Sequence, residues 1–589
     1  MSAQQIIFRL FELRIQTLNL TSRNFMAQRG QLVSRRCGSA ASIRLWLLLI
    51  LSLGQFTTGA QSAEQGRVLS TEGQVQYSPQ RATWAVAVTN QLLQPQDRLR
   101  TLTNSRAMVQ LVDLGRVRVD ERTTLEILPP RNPKSKGTLD LKAGAMYFFT
   151  RDRPREFEIQ TPQALAASRG TEFLVSLEPD GRELFVVYDG EVELTNSLGS
   201  VIVLPGEQGI VAPGQPPRKT AVIESKRIVQ WWLYYPAVLD VNELSFSPAQ
   251  QVALTNSLEA YRQGDLLNAL KEYPAGRDPE NDDERIFHAA LLLSVGQVLQ
   301  AEALLTNVNA TLPAVRALRL MMDTVQTREV SPLPNPQTAT EWLANSYALQ
   351  ARYDLAAALA AARKASELSP DFGFAFARVA ELEFSFGRTP EATSALNWAL
   401  AFSPRNAQAW ALKGFLLSAQ RDWSSSAEAF EKAITLDPAL GNAWLGRGLL
   451  KIRGGDREGG RNDLQTGAAL EPNRSVLRSY LGKAFDHARD EHNADRELDL
   501  AKQLDAQDPT PWLYSALILR QQLRYNEAVA DLEKSARLND NRQVYRSRMM
   551  LDQDQAVRSA SLATIYRAAG MDEVSVREAA RAVTYDYAN

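Results

Sequence analysis

Four prolines, Pro370, Pro404, Pro438 and Pro472, stand 34 residues apart. Proline cannot continue a helix, because it lacks a donor and its ring clashes with the preceding turn. A fixed step therefore marks a structural unit that stops at the same point each time. The step continues to Ala506 and Asp540 after the prolines cease. Leu504-Asp505 and Leu538-Asn539 precede those positions, as Leu436-Asp437 and Leu470-Glu471 precede Pro438 and Pro472. Trp342, Phe376, Trp410, Trp444 and Trp512 share one column of the repeat, with Arg478 in place of the aromatic before the last. Ser346, Ala380, Gly414, Gly448, Gly482 and Ala516 form a small-residue column four places later. A second small column, Ala365, Ala399, Ala433, Gly467, Ala501 and Ser535, lies near the end of each unit. Small residues at fixed places let helices cross closely, and this period is that of stacked helix-turn-helix units.

The pattern resembles the tetratricopeptide repeat (TPR) family, and the resemblance covers about 249–589. Tyr261-Arg262-Gln263-Gly264-Asp265 and Leu293-Ser294-Val295-Gly296-Gln297 read as turns of earlier, weaker hairpins. Pro332, Pro334 and Pro336 mark a loop before the regular block. Gln543 to Val557 reads as an insertion, and Leu562 to Ala582 as a further hairpin. With no solvating cap helix after it, the array is expected to be truncated at its C-terminus or to meet a partner there. The resemblance implies an all-α solenoid whose first helices line a groove for a protein or peptide partner. By the family's offsets from the aromatic column, the groove positions are Tyr347, Glu381, Gln408, Phe415, Asn442 and Lys483. They share no single charge type, so they name no ligand.

Upstream, over 66–223, the hydrophobic period is two. Val109 and Leu111, Val117 and Val119, Leu139 and Leu141, and Phe173, Val175 and Leu177 alternate with polar neighbours. Asp113-Leu114-Gly115, Pro179-Asp180-Gly181 and Asp189-Gly190 separate the runs as turns, and Gly144 breaks another. Such alternation predicts antiparallel strands with one buried face, in a sandwich or roll. The segment resembles the FecR domain through Gly144-Ala145-Met146-Tyr147-Phe148, Phe157 to Pro162, Arg169-Gly170-Thr171-Glu172-Phe173 and Val186 to Val192. That family's best-known members are inner-membrane regulators that sense a loaded outer-membrane receptor and control a sigma factor. The resemblance implies a β-domain that recognises an envelope component. Arg169, Thr171 and Glu172 are candidates for a ligand site; the plainer reading is that Gly170 allows close backbone approach and its polar neighbours pair across strands. Between the domains, 224–248 holds the aromatic run Trp231-Trp232-Leu233-Tyr234-Tyr235. It reads as packing between β-domain and helices, with an exposed partner site as the rival.

Residues 1–63 set the compartment. Arg29, Arg35, Arg36 and Arg44 precede the apolar run 45–53, and Thr58-Gly59-Ala60 follows it. This is the order of a secretory signal cleaved near Ala60. The run is short of the ~20 residues of a membrane-spanning helix, so an anchor is the rival reading. Met1 or Met26 is the start. The single cysteine, Cys37, precedes the apolar run. The exported chain would hold no thiol, which excludes disulfides, cysteine nucleophiles and cysteine-bound zinc.

Lys plus Arg number 66 and Asp plus Glu 67, so the total charge gives no reason to expect a nucleic-acid partner. His288, His487 and His492 lack metal-ligand spacing, and no nucleophile elbow or phosphate loop occurs. No cofactor, metal or catalytic residue is expected. The expectation is a periplasmic, non-catalytic scaffold or adaptor. The alternatives are the soluble part of an outer-membrane assembly or export protein, and a FecR-type envelope signalling regulator.

Overall fold

The computed structural model describes residues 66–112, 115–129, 138–151, 156–221, 236–326, 331–538 and 551–585. All of these residues belong to one compact unit, Ala63–Asn589. The signal-like segment, the aromatic run 231–235 and most of the expected insertion lie outside the described residues.

Sixteen strands between Gly66–Glu72 and Arg218–Ala221 form one sheet. Its main path starts at Ala85–Val86 and ends at Leu92–Leu93, neighbours in sequence, so the sheet curls back on itself. The long hairpin Leu165–Leu177 with Glu183–Asn196 pairs from Leu165 opposite Thr195 to Leu177 opposite Glu183, with a register shift between Arg169 and Phe173. Ala145–Phe149 lies between Gly115–Val119 and Leu165–Leu177. Phe148 stacks on Phe157 at 4.6 Å and meets Phe173 at 5.5 Å inside the curl.

Three details differ from the alternation rules. Thr138–Ala143 and Glu156–Gln160 pair in parallel, because Ala145–Phe149 between them crosses to the far side of the sheet. Asp189-Gly190 does not turn the chain. Gly190, at φ 81°, is absorbed inside the strand Glu183–Asn196, where the register slips opposite 169–173. A positive φ serves a bulge as well as a turn. The third difference is burial. Tyr147 and Phe149 are as buried as Met146 and Phe148, although successive strand residues face opposite ways. Something covers the second face.

Gly144 does break its strand as expected. Its φ is +84°, and a Cβ there would lie 2.5 Å from Thr123 Cα. No side chain fits.

Twenty helices follow among the described residues, from Pro248–Ala253 to Asp572–Tyr585. The six regular units are helix pairs, from Ala339–Ala351 with Leu355–Leu368 to Pro509–Gln521 with Tyr525–Arg537. Asp354, Asp422, Asp456 and Asp490 each cap a second helix, accepting from the backbone N–H three residues on. Each such cap contributes about 1 kcal/mol. The residue before each second helix's N-cap is left-handed: Tyr353, Gly387, Arg421, Gly455, Arg489 and Leu523 have φ between 61° and 98°. This column also repeats every 34 residues, yet side-chain identity hides it, since four of its six members are not glycine.

The array also touches itself across long sequence distances. Arg405 N–H donates to Gln263 O at 2.7 Å, and the Arg405 guanidinium reaches Asp265 at 2.7 Å. Ser403 Oγ donates to Arg262 O at 2.7 Å. Further along, Tyr353 OH donates to Asp505 at 2.9 Å. Turns of early hairpins thus meet loops between later ones.

Candidate functional site

The cover on the second face of the sheet is the helical array itself. Met108, Tyr147, Phe149, Leu174 and Val186 form one apolar cluster with Trp444, Leu464, Leu477 and Leu481. Burying that much apolar surface is the main attraction between the two parts.

A buried charge cluster sits within it. Arg478 is 2% exposed. Its two terminal nitrogens reach the two oxygens of Glu172 at 2.6 and 2.7 Å, a bidentate pair. Arg478 also meets Glu497 at 3.2 Å and donates from Nε to Pro472 O at 2.9 Å. Arg151 pairs with both Glu172 and Glu497, and with Asp189 at 3.2 Å. Tyr147 OH donates to Glu172 at 2.8 Å. Both guanidinium groups lie against the Phe149 ring, at 4.9 and 5.3 Å. Two arginines thus face two glutamates, and each carboxylate is shared. Burial alone would raise the Glu172 carboxyl, but Arg151 and Arg478 hold it down at about 2. Asn493 donates to Arg151 O at 2.8 Å, and Arg496 reaches Asp189 at 2.5 Å.

A second set of contacts flanks the first. Arg116 donates to Thr466 at 3.1 Å, to Asn462 O at 3.0 Å and to Gln465. Asn462, Gln465 and Thr466 lie on one face of Arg457–Leu470 by their spacing. Arg118 donates to Leu470 O at the end of that helix.

Asp437, in the loop before the next unit, is pushed up to about 7 by desolvation and by Glu72 and Glu471, against the pull of Arg118. The folded protein therefore holds this proton where the unfolded chain has lost it. Stability falls as pH rises from about 4 to about 7 on this account. Asp437→Asn removes the effect and keeps an acceptor for Ala439 N–H. The variant should melt near wild type at pH 4 and above it at pH 8, read by paired thermal melts. Equal melting at pH 8 would remove Asp437 from the interface balance.

The predicted residues fall into distinct settings. Arg169, Gly170 and Thr171 lie on Leu165–Leu177, their side chains outside the described set. Phe173 packs inside the sheet. Glu172 does pair with its sheet neighbours Tyr147 and Arg151, but its bidentate partner, Arg478, belongs to the helices. Of the groove positions, Tyr347 lies under the Arg378 guanidinium at 4.0 Å, and Glu381 pairs with Arg378 at 2.6 Å. Phe415 meets Phe430 edge-on at 5.0 Å, and Lys483 lies over Tyr514 at 4.6 Å. Gln408 lines a small cavity with Gly264, Phe374 and Asn406. Asn442 is buried, and its Oδ1 has no hydrogen-bond partner among the described residues. Tyr347 and Glu381 are thus joined through one arginine; the others stand apart along the first helices. His288 stacks on Tyr273 at 4.1 Å as a packing residue.

Sequence reasoning registered Arg478 as a gap in the aromatic column and did not make it a site. A lone charge in an otherwise aromatic column was the available signal.

These two parts match known proteins. Residues 97–193 match the family model described as FecR protein. The chain is also similar to anaphase-promoting complex subunit 3 of Schizosaccharomyces pombe, 27% identical over 144 residues. That match covers 24% of this chain and spans only 22% of the relative's length. Among solved structures, the APC/C hetero-tetramer Cut9-Hcn1 gives a TM-score of 0.40 at 15% identity, covering 58% of this chain and 60% of that one. A putative anti-sigma factor from Parabacteroides distasonis gives a TM-score of 0.21 at 22% identity, covering 24% of this chain and 67% of that one. The chain thus joins a β-domain that matches the FecR family model over 97–193 to an all-α array that resembles TPR solenoids. Among the described residues, no helix is long and apolar enough to cross a membrane.

Proposed function

We propose that the protein is an exported, non-catalytic scaffold of the cell envelope that holds a protein partner along its first helices. The observation carrying this reading is a division of faces. The β-domain takes polar side chains from second helices, through Asn462, Gln465, Thr466, Asn493 and Glu497, and meets two first helices, through Trp444, Leu477, Arg478 and Leu481. Tyr347, Glu381, Gln408, Phe415, Asn442 and Lys483 all lie on first helices. A docked β-domain therefore leaves part of the groove face, with Tyr347, Glu381, Gln408, Phe415 and Lys483 each partly exposed and Asn442 buried beneath them, to another molecule. Export rests on the basic, apolar and small-residue order before residue 61.

The test is a pull-down from envelope extract with the full chain and with a Phe415→Ala, Asn442→Ala variant. The expected outcome is a partner retained by the first and lost, at least tenfold, by the second, with both chains melting cooperatively. A partner held equally by both would move the binding function away from this face. The match of 97–193 to FecR supports a second reading, envelope signalling, in which the β-domain senses and the helices relay.

A further inference from the structure

Among the described residues, the β-domain exposes two groups of three large aliphatic side chains. Val86, Val88 and Leu92 are between 42% and 76% exposed, and Leu198, Ile202 and Leu204 between 44% and 57%. Both groups stand at free margins of the sheet. Ala85–Val86 and Leu92–Leu93 are the two ends of its main path, and Gly199–Val203 pairs only with Glu183–Asn196. No charged residue occurs within 85–93 or 194–206. An edge strand with exposed apolar side chains invites another chain unless charge or cover prevents it.

The charges beside the two groups are opposite. Val86 lies opposite Gln76, and Gln76 opposite Arg100, so Val86 and Arg100 share one row of the sheet. The Arg98 and Arg100 guanidinium groups lie over the Trp84 ring at 5.0 and 4.2 Å. Their hydrogen bonds go to neutral oxygens, those of Ser78, the Arg81 carbonyl and Gln76. Among the described residues no carboxylate pairs with either. At the other group, Ile202 lies opposite Glu193, and the row continues through Ala167 to Glu158. Glu193 is exposed and has no ion pair among the described residues. Glu207, which accepts from Leu204 N–H at 2.8 Å, already pairs with Lys219 at 2.9 Å.

The two groups do not meet within one chain, since both are exposed together in the same sheet. Two copies can bring them together, and every copy carries both halves. Apolar side chains then cover apolar side chains, and the unpaired Glu193 carboxylate meets the unpaired guanidinium groups. A contact of either group with itself would set charges of one sign together. The exposed apolar groups on the helices match the acidic hairpin less well. Lys364, Trp398 and Lys432 stand 34 residues apart, but Lys364 pairs with Glu367, and Glu428 and Glu431 flank Lys432. Val576 and Val583 share their helix with Asp572, Glu573, Arg577 and Arg581. We propose that the protein associates head to tail with a second copy, the Leu198–Leu204 hairpin edge of one chain docking on the Val86–Leu92 edge of the next. This contact is independent of a partner along the first helices. Because it joins two different patches, it closes into a ring or continues as a filament.

The test is sedimentation of the purified full chain at low salt, from about 1 µM to about 1 mM. The expected result is a mass that grows with concentration in whole multiples of the chain. Glu193→Arg and Arg100→Glu should each raise the dissociation constant at least tenfold, and both together in one chain should bring it back to within about threefold of wild type. Ile202→Asp and Val88→Asp should each be monomeric alone, since each chain lacks one half of the contact. Mixed in equal amounts they should form a dimer and nothing larger, because each still offers the half that the other lacks. That recovery also shows that both variants fold. A wild type that sediments as one chain throughout, association indifferent to Glu193→Arg, or a mixture that stays monomeric would each overturn the proposal. Association lost with Trp398→Ala and kept with Val88→Asp would overturn it too, by placing the hairpin on the helices instead.

Discussion

Glu172→Gln is expected to release the β-domain from the helices without unfolding either. The substitution removes the carboxylate shared by Arg151, Arg478 and Tyr147, and leaves two buried arginines with Glu497 between them. Taking one partner from a buried ion network costs about 3–5 kcal/mol, because the charges left behind lose their compensation. That cost falls on the interface, since Glu172 lies at the surface of a sheet whose own core is on the other side. Hydrogen exchange should speed up at 145–149 and 457–470 together, and one thermal transition should become two. Arg478→Trp restores the aromatic of the column and should separate the parts while leaving the hairpin folded. Arg182→Gln, at an exposed pair with Asp180, serves as the control and should change little. The pH dependence has a definite sign. Glu172 titrates near 2 in the folded protein against 4.5 ordinarily, so its contribution is complete above about 4.5 and drains as pH falls toward 2. Wild type should undock across that window. The glutamine variant, already undocked, should show no such step. Unchanged exchange at 145–149 in the glutamine variant would sink the account.

The second large effect is expected at Gly264. Its φ is +85°, and a Cβ there would lie 2.8 Å from both Cα and N of Asn406. Gly264→Val therefore meets backbone that cannot step aside cheaply, in a conformation that valine resists. Overpacking and strain together should cost about 2–4 kcal/mol. The contacts that hold the early turn to the later loop, Arg405 to Asp265 and to Gln263 O, should be lost. The radius of gyration from solution scattering should then rise. Gly276→Val separates the causes: Gly276 has φ +72° but open space around it. That variant should melt slightly lower and keep its dimensions. Equal expansion in both variants would mean that crowding against Asn406 is not what closes the array.

Much of this architecture was legible in the residues, for physical reasons. Pro370 to Pro472 punctuate the hairpins because proline ends a helix wherever it falls. Val117, Val119, Phe173 and Val175 alternate because a curled sheet buries one face by itself. What alternation could not convey was the second face. Tyr147, Phe149 and Leu174 read as ordinary strand residues, and their burial depends on helices more than 250 positions downstream. Gly190 was legible as a positive-φ residue but not as a bulge, since one glycine serves either geometry. The groove positions followed from family offsets, whereas the charge cluster required knowing that Glu172 and Arg478 meet. Each is unremarkable alone. Their pairing is a product of tertiary structure, and only the broken aromatic column hinted at it.

The covered second face of the sheet also bears on how the protein is made. A chain emerges from the ribosome amino end first, at about 5–20 residues per second. The β-domain is complete by Ala221, but its covering side chains extend to Glu497 and Leu498. For tens of seconds the nascent domain has a sheet whose outer face is sticky and whose buried-type charges, Arg151 and Glu172, lack their helix partners Glu497 and Arg478. Leaving its cover to the far end of the chain makes that face the last surface to close, once the helices that carry Arg478 and Glu497 have been made.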